Sequence, residues 1–210
     1  MGEPARESNL GPLLLHVAWM AIVLGLAIQL VLLAVASYAG NAPTMQGFVA
    51  ELTQKMSWSA IVCTGVAVGR AVGKQREGAM ALSGLLAAPL GFTIARTVQS
   101  SVSQALKVAG GAPGLLSPVL IGSLRGIEYA FLGWLLGKVS KNPRAGAAAH
   151  LGAGLAAGVV FGGTLVLLTV RAATEPPSAA ALVNLTLNEV LFPVGCALVL
   201  FTANRVSARA

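Results

Sequence analysis

Six apolar runs alternate with short polar segments along the chain, and each run is long enough to cross about 30 Å of hydrocarbon as an α-helix. The runs cover residues 13–37, 56–73, 79–103, 117–137, 147–170 and 180–202. The pattern therefore predicts an all-α, polytopic membrane helix bundle with about six transmembrane helices, in which residues 13–204 form the membrane domain. Residues 1–12 and 205–210 are predicted to be short cytoplasmic tails.

The connections between the runs are short and rich in Gly, Pro or charged residues, as turns are. The longest connection follows the first run and carries Glu51 and Lys55 at helical i,i+4 spacing, which predicts a short surface helix. Two similar segments, Gly69–Lys74 and Gly133–Lys138, each end a run ahead of a basic turn. This similarity suggests three related helical hairpins, although chance similarity between Gly-rich helices explains it equally well.

The composition excludes several function classes. Hydrophobic residues make up 56% of the 210 residues and charged residues only 10%, so lipid is the solvent for most of the surface. The net charge of +7 does not indicate nucleic-acid binding, because Lys and Arg form short clusters between apolar runs. The chain has no Asp, and Cys63 and Cys196 lie in separate apolar runs without a CxxC spacing. Metal binding and paired-carboxylate catalysis are therefore disfavoured, and an enzyme is not the expected class.

The distribution of Lys and Arg predicts the orientation in the membrane. The side that bears both termini receives Arg6, Arg70, Lys74, Arg76, Lys138, Lys141, Arg144, Arg205 and Arg209. The opposite side receives only Lys55, Lys107 and Arg171. Because basic residues are retained in the cytoplasm, both termini are predicted to be cytoplasmic. We expect an integral protein of the bacterial inner (cytoplasmic) membrane.

Four ionisable residues interrupt the predicted membrane spans, and each costs at least about 2.5–3.5 kcal/mol to insert when unpaired. Arg125, Glu128 and Glu189 are expected at one level near the middle of the bilayer, and Arg96 within reach of that level. Uncharged polar residues at related depths are Gln29, Gln99, Ser100, Ser103, Gln104, Asn184 and Asn188. The pattern predicts a polar pocket in the mid-to-outer half of the bilayer, lined by the third, fourth and sixth helices and by the first through Gln29.

The candidate substrate-binding residues of this pocket are Arg96, Gln99, Arg125, Glu128, Asn184, Asn188 and Glu189. In one interpretation the arginines attract an anionic or polar solute and the glutamates balance or release its charge. In the other, the same four charges form a buried ion-pair network that fixes the helix register or docks a partner subunit. The sequence favours the first interpretation only slightly.

The two histidines, His16 and His150, lie near the inner ends of the first and fifth runs. At one depth they could in principle hold a b-type haem between two helices. Histidines this close to the membrane boundary are more often interfacial hydrogen-bonding residues, so they are weak cofactor candidates. Neither haem nor any other cofactor or metal is predicted.

The sequence favours a small integral membrane transport protein or a membrane substrate-binding component. The chain is similar in size and topology alone to the substrate-binding components of energy-coupling-factor transporters. It shares no motif with them from which binding residues could be assigned. The alternative is a non-catalytic structural subunit of a larger membrane protein complex, because short loops and Gly-rich faces suit a protein surrounded by neighbours. The expected partners are the lipid bilayer, other membrane proteins or further copies of this chain, and not nucleic acid.

Overall fold

The computed structural model describes residues 10–72, 75–108, 115–142 and 144–207, and over these ranges the chain consists of helices joined by turns. The helices are α1 (Leu10–Tyr38), α2 (Met45–Val72), α3 (Arg76–Ala105), α4 (Pro118–Val139), α5 (Ala147–Ala172) and α6 (Ala179–Ser207). A π-helical segment, Gly158–Gly162, interrupts α5 without breaking it. The predicted all-α helix bundle is confirmed.

Within the described residues, α1, α3, α4, α5 and α6 are long and apolar enough to cross a membrane. Helix α2 is of similar length but less apolar, because it carries Glu51, Lys55 and Arg70. It packs against α1, α3, α4 and α6, and Lys55 and Arg70 are half-buried in the bundle, whereas Glu51 is exposed. The chain is therefore an integral membrane helix bundle in contact with the lipid bilayer.

The helices form a closed ring in chain order, in which each helix packs against the next and α6 packs against α1. Helices α2, α4 and α6 also contact one another across the centre of the ring. Each of these three is the second helix of a hairpin, so they run parallel, and residues at similar depths meet at the centre. This arrangement is compatible with three related hairpins, but an internal duplication is still only a prediction.

The surface helix predicted around Glu51 and Lys55 is wrong, because both residues belong to α2. Helix α2 begins at Met45, and the Thr44 hydroxyl accepts a hydrogen bond from the Gly47 amide at 3.1 Å, as an N-cap residue does. After Gly47, the next Gly or Pro in the sequence is Gly65. Nothing therefore stops the helix between the turn and the apolar run, and the first polar turns of α2 continue into the membrane domain.

Glycines let α5 pack closely against α6. A Cβ atom at Gly154 would lie 2.6 Å from the Val194 Cα, and one at Gly162 would lie 2.6 Å from the Glu189 Cβ. Real Cβ atoms do not approach so closely, so only glycine fits these positions. Close backbone approach supplies the dispersion contacts that hold helices together in lipid, where the hydrophobic effect does not. This packing also fixes the position of Glu189.

Candidate functional site

An ion-pair cluster centred on Arg125 lies where α4 faces α6. Arg125 Nη1 is 2.8 Å from Glu128 Oε2, one turn further along α4, and Nη2 is 2.6 Å from the Glu189 carboxylate on α6. Glu128 and Glu189 are only 0% and 3% exposed. Because water does not reach the carboxylates, the guanidinium of Arg125 is what compensates their charge.

The same cluster extends to α2 through Lys55 and Asn188. Lys55 Nζ donates a 2.7 Å hydrogen bond to Asn188 Oδ1, and Asn188 Nδ2 donates to Glu189 Oε1 at 3.2 Å. The orientation of the Asn188 amide is thereby fixed, since its oxygen faces an ammonium and its nitrogen faces a carboxylate. We call the chain of contacts from Lys55 through Asn188, Glu189 and Arg125 to Glu128 the charge network. It joins the three inner helices and has no net formal charge.

Aromatic rings support the network. The Arg125 guanidinium lies 5.6 Å from the centre of the Trp58 ring, a distance typical of cation–π contacts. Trp58 on α2 packs edge-to-face against Tyr129 on α4, with ring centres 5.6 Å apart and an interplanar angle of 83°. Arg125 is therefore held by two carboxylates and an aromatic face.

A second polar group lies nearer the α1–α2 turn, at what we call the loop end of the bundle. Gln29 on α1 is 1% exposed, and its Nε2 donates a 3.0 Å hydrogen bond to Glu51 Oε2 on α2. The oxygen of the same amide, Gln29 Oε1, is buried and accepts no hydrogen bond from the described residues. The same holds for Asn184 Oδ1. Buried acceptors without partners are rare and are typically satisfied by water or a ligand.

Two adjoining cavities connect these polar groups. The loop-end cavity, of about 360 Å³, is bordered by Gln29, Glu51, Gln99 and Asn184 among others. The arginine cavity, of about 120 Å³, is bordered by Trp58, Phe92, Arg125 and Phe192 among others. Both are bordered by Gln54, Lys55 and Asn188. The hydrogen-bonded pair Lys55–Asn188 thus lies where the loop-end cavity meets the arginine cavity.

The structure brings most of the predicted residues together but separates Arg96 from them. Arg125, Glu128, Asn188 and Glu189 belong to the charge network. Gln99 and Asn184 border the loop-end cavity. Arg96 lies instead in a groove between α3 and α4, with its guanidinium 5.5 Å from the Phe92 ring centre.

Sequence reasoning missed Lys55, Gln54 and Trp58 as residues of these cavities. Lys55 was expected in a surface helix. However, Lys55 and Trp58 are three residues apart, a spacing that places both side chains on the same face of one continuous helix. The absence of Gly and Pro between Phe48 and Thr64 was the signal that would have placed these residues inside the bundle.

The histidines lie in different surroundings. His16 is exposed on α1, whereas His150 is buried with its Nδ1 3.0 Å from the Gly146 carbonyl oxygen and its ring 4.9 Å from that of Phe201. Helices α1 and α5 are not neighbours in the ring. Among the described residues, no group of three or more His, Cys, Asp and Glu side chains is placed to hold a metal ion. Cys63 and Cys196 are free, buried thiols.

Comparison with known proteins gives no family assignment. No family model matches the chain, and neither a curated protein nor a solved structure matches it.

Proposed function

We propose that this chain is a small membrane transport protein or membrane substrate-binding component for a small polar solute with an acidic group. The observation that carries this proposal is the arginine cavity: the charged side chains that border it, Lys55 and Arg125, are both cationic. Glu128 and Glu189 do not border the cavity. A solute that passes from the loop-end cavity into the arginine cavity would therefore meet two cations there.

Lys55 is the residue best suited to bind the acidic group. Among the described residues, no carboxylate lies within salt-bridge distance of Lys55, and its hydrogen-bond partner Asn188 is neutral. An anion could replace Asn188 as the partner of the ammonium and form a stronger, charge-assisted hydrogen bond. Trp58 and Phe192 would then enclose the apolar part of the solute, as aromatic side chains do in small-molecule sites.

The loop-end cavity supplies groups for the other end of the solute. Glu51 is a carboxylate, and the unpartnered oxygens of Gln29 and Asn184 are acceptors. These groups favour hydrogen-bond donors, whereas the arginine cavity favours acceptors. The best complement to both cavities is a solute with donors at one end and an acidic group at the other, such as a small zwitterion.

The proposed orientation places the loop end outside the cytoplasm. Basic residues at the opposite end of the bundle include Arg70, Arg76, Lys138, Lys141, Arg144 and Arg205. Those at the loop end outside the cavities are Lys107 and Arg171. By the positive-inside rule, the termini are cytoplasmic, and solute enters the cavity from the outer side of a bacterial inner membrane.

The proposal is tested by solute binding to the purified chain, with Lys55→Met as the variant and Lys107→Met as the matched control. Acetate, succinate, alanine and glutamate are titrated, and binding is measured by calorimetry and by protection against thermal unfolding. We expect at least one of these probes to bind, and Lys55→Met to weaken it by about tenfold or more through loss of a charged hydrogen bond. Lys107 lies outside the cavities, so its variant should bind as the parent chain does.

The competing function is a structural subunit, and the formal neutrality of the charge network favours it. Because the network is already neutral, it needs no added ion, and a purely structural role, fixing helices or docking a partner, is enough to explain it. This function predicts that none of the four probes binds, and that a partner protein co-purifies in stoichiometric amounts from the native membrane in mild detergent. Loss of that partner in Arg125→Met, without any solute binding by the parent chain, would replace the transport proposal.

A further inference from the structure

A groove on the outer surface of the bundle, between α3 and α4, is separate from the function proposed above. It has a volume of about 460 Å³, and we call it the lateral groove. Its border includes Pro89, Phe92 and Arg96 of α3 and Val119, Gly122 and Ser123 of α4. Val119 is 79% exposed, and the neighbouring α3 residues Leu90 and Ile94 are also exposed. The lateral groove therefore opens toward lipid rather than toward the centre of the ring.

Among the described residues, Arg96 is the only charged one that borders the lateral groove, and none of the others supplies a counterion for it. None of their carboxylates lies within salt-bridge distance, and the contact that holds the guanidinium is the face of Phe92 at 5.5 Å. The hydroxyls of Thr93 and Thr97 donate to backbone carbonyls of their own helix. A guanidinium facing hydrocarbon is costly, so an anion from outside the chain is expected to pair with it.

Arg96 lies level with the beginning of α4, because Gly122 faces Phe92, and Arg96 and Pro118 each lie one turn from these residues in the same direction. Arg96 precedes the loop end of α3, Ala105, by nine residues, which at about 1.5 Å per residue is about 14 Å. The guanidinium lies beside Phe92, one turn further from the loop end, and a long basic side chain can also extend toward the headgroups. Helix α4 begins at Pro118, which also borders the lateral groove, so the groove reaches the loop end of α4.

We propose that the lateral groove binds a membrane phospholipid, with Arg96 as the ligand of its phosphate and the apolar border holding the first part of an acyl chain. Arginine recognises phosphate through its planar, forked set of N–H donors. Pro89, Phe92 and Val119 offer apolar surface directly below that position. The combination of one unpaired cation with apolar walls complements an anionic headgroup joined to a hydrocarbon chain.

The length of the lateral groove favours a lipid over a partner helix. On α3 it extends from Pro89 to Thr97, about 12 Å at 1.5 Å per residue, whereas a transmembrane helix runs across about 30 Å of hydrocarbon. A partner helix would need a matching surface along most of α3 and α4. A headgroup with the upper part of one acyl chain needs only this short stretch.

The test is lipid binding to the purified, delipidated full chain, measured by native mass spectrometry during titration with phosphatidylglycerol. We expect the added phosphatidylglycerol to bind, and its affinity to fall by about tenfold or more in Arg96→Gln. Arg96→Lys should keep part of the affinity, because a lysine still attracts phosphate as a point charge. Arg171→Gln is the matched control, because Arg171 is exposed at the same end of the bundle but lies outside the lateral groove. This variant should bind phosphatidylglycerol with the affinity of the parent chain.

A second variant tests the apolar part of the site. A Cβ atom at Gly122 would meet only the Phe92 ring, at 3.8 Å, so the backbone tolerates a side chain there. Gly122→Leu should fold normally, fill the groove and reduce phosphatidylglycerol binding even though Arg96 is retained. Normal binding by this variant would refute the apolar part of the site.

Four other outcomes would overturn the proposal. Unchanged affinity in Arg96→Gln would remove Arg96 as the phosphate ligand. Equal binding of a diacylglycerol with the same chains would show that phosphate is not recognised, and equal binding of glycerol phosphate would identify a free phosphate site. A dimer that excludes lipid would show that a protein surface covers the groove.

Discussion

Arg125 and Arg96 are both arginines on neighbouring helices of a membrane bundle, but the chain provides a counterion for only one of them. Arg125 contacts two carboxylates within 2.8 Å and the face of Trp58. Arg96 has an aromatic neighbour and no described carboxylate within salt-bridge distance. A charge inside a membrane span is therefore informative only together with its counterion.

The difference follows from the place of each helix in the ring. Helix α4 contacts α2 and α6 at the centre, so Arg125 faces protein on several sides. Among the described residues, helix α3 packs mainly against α2 and α4, and Arg96 lies on the part of it that borders the lateral groove. We therefore expect Arg125 to contribute mainly to folding and Arg96 mainly to lipid binding.

The largest effect is expected from Arg125→Met. Removing the guanidinium leaves Glu128 and Glu189 buried without their ion-pair partner, and breaking a buried ion pair in this way typically destabilises a protein by about 3–5 kcal/mol. The free energy of unfolding should fall by this amount, measured by denaturant titration in mixed micelles. Arg171→Met is the control, because Arg171 makes no ion pair among the described residues.

The same prediction can be examined with a charge exchange. Arg125→Glu combined with Glu128→Arg keeps one charge of each sign on the same turn of α4. The double variant should be more stable than Arg125→Glu alone, with a coupling of about 0.5–3 kcal/mol. If the double variant is no more stable than the single one, the pair Arg125–Glu128 does not act as a unit.

An intermediate effect is expected from Gly162→Ala, which tests how α5 positions the charge network. The added Cβ would lie 2.6 Å from the Glu189 Cβ, so α6 or Glu189 must move. Overpacking of this kind costs about 1–3 kcal/mol and should also weaken solute binding, if the proposed site is correct. Unfolding and probe titrations measure the two effects separately.

Gly163→Ala is the matched control on the adjacent position of the same helix. A Cβ at Gly163 meets no atom within 4 Å, and alanine has a higher helix propensity than glycine by about 1 kcal/mol. This variant should be as stable as the parent chain or slightly more so. Equal destabilisation by both substitutions would mean that the π-helical segment, rather than the contact with Glu189, is sensitive to substitution.

The sequence was sufficient to predict the helices because their signal is local. Apolar runs of about 20 residues separated by Gly, Pro and charged turns indicate membrane helices without knowledge of their neighbours. The proximity of Arg125 and Glu128 was also a local inference, since i,i+3 residues share a helix face. Glu189 could be added from its estimated depth alone, because residues at one level of a bundle are often neighbours.

The positions of Lys55 and Arg96 could not be derived in the same way. A depth estimate gives the level of a residue but not the side of the helix that faces the centre, which depends on the ring of contacts. Arg96 was placed in the pocket on depth alone, whereas α3 presents it to the lateral groove. Lys55 was assigned to a short surface helix because its turn of α2 is polar, although polar residues are also expected where a helix is enclosed by protein.

The smallest effect on stability is expected from Arg96→Gln in lipid-free micelles. The variant loses one cation–π contact with Phe92, worth about 0.5–1 kcal/mol at an exposed site, and leaves no described carboxylate without a partner. When phosphatidylglycerol is added, the parent chain should gain stability and Arg96→Gln should gain much less, because a ligand stabilises only the state that binds it. A loss in lipid-free micelles as large as that of Arg125→Met would mean that Arg96 has a counterion within the chain, and the contrast between the two arginines would then no longer hold.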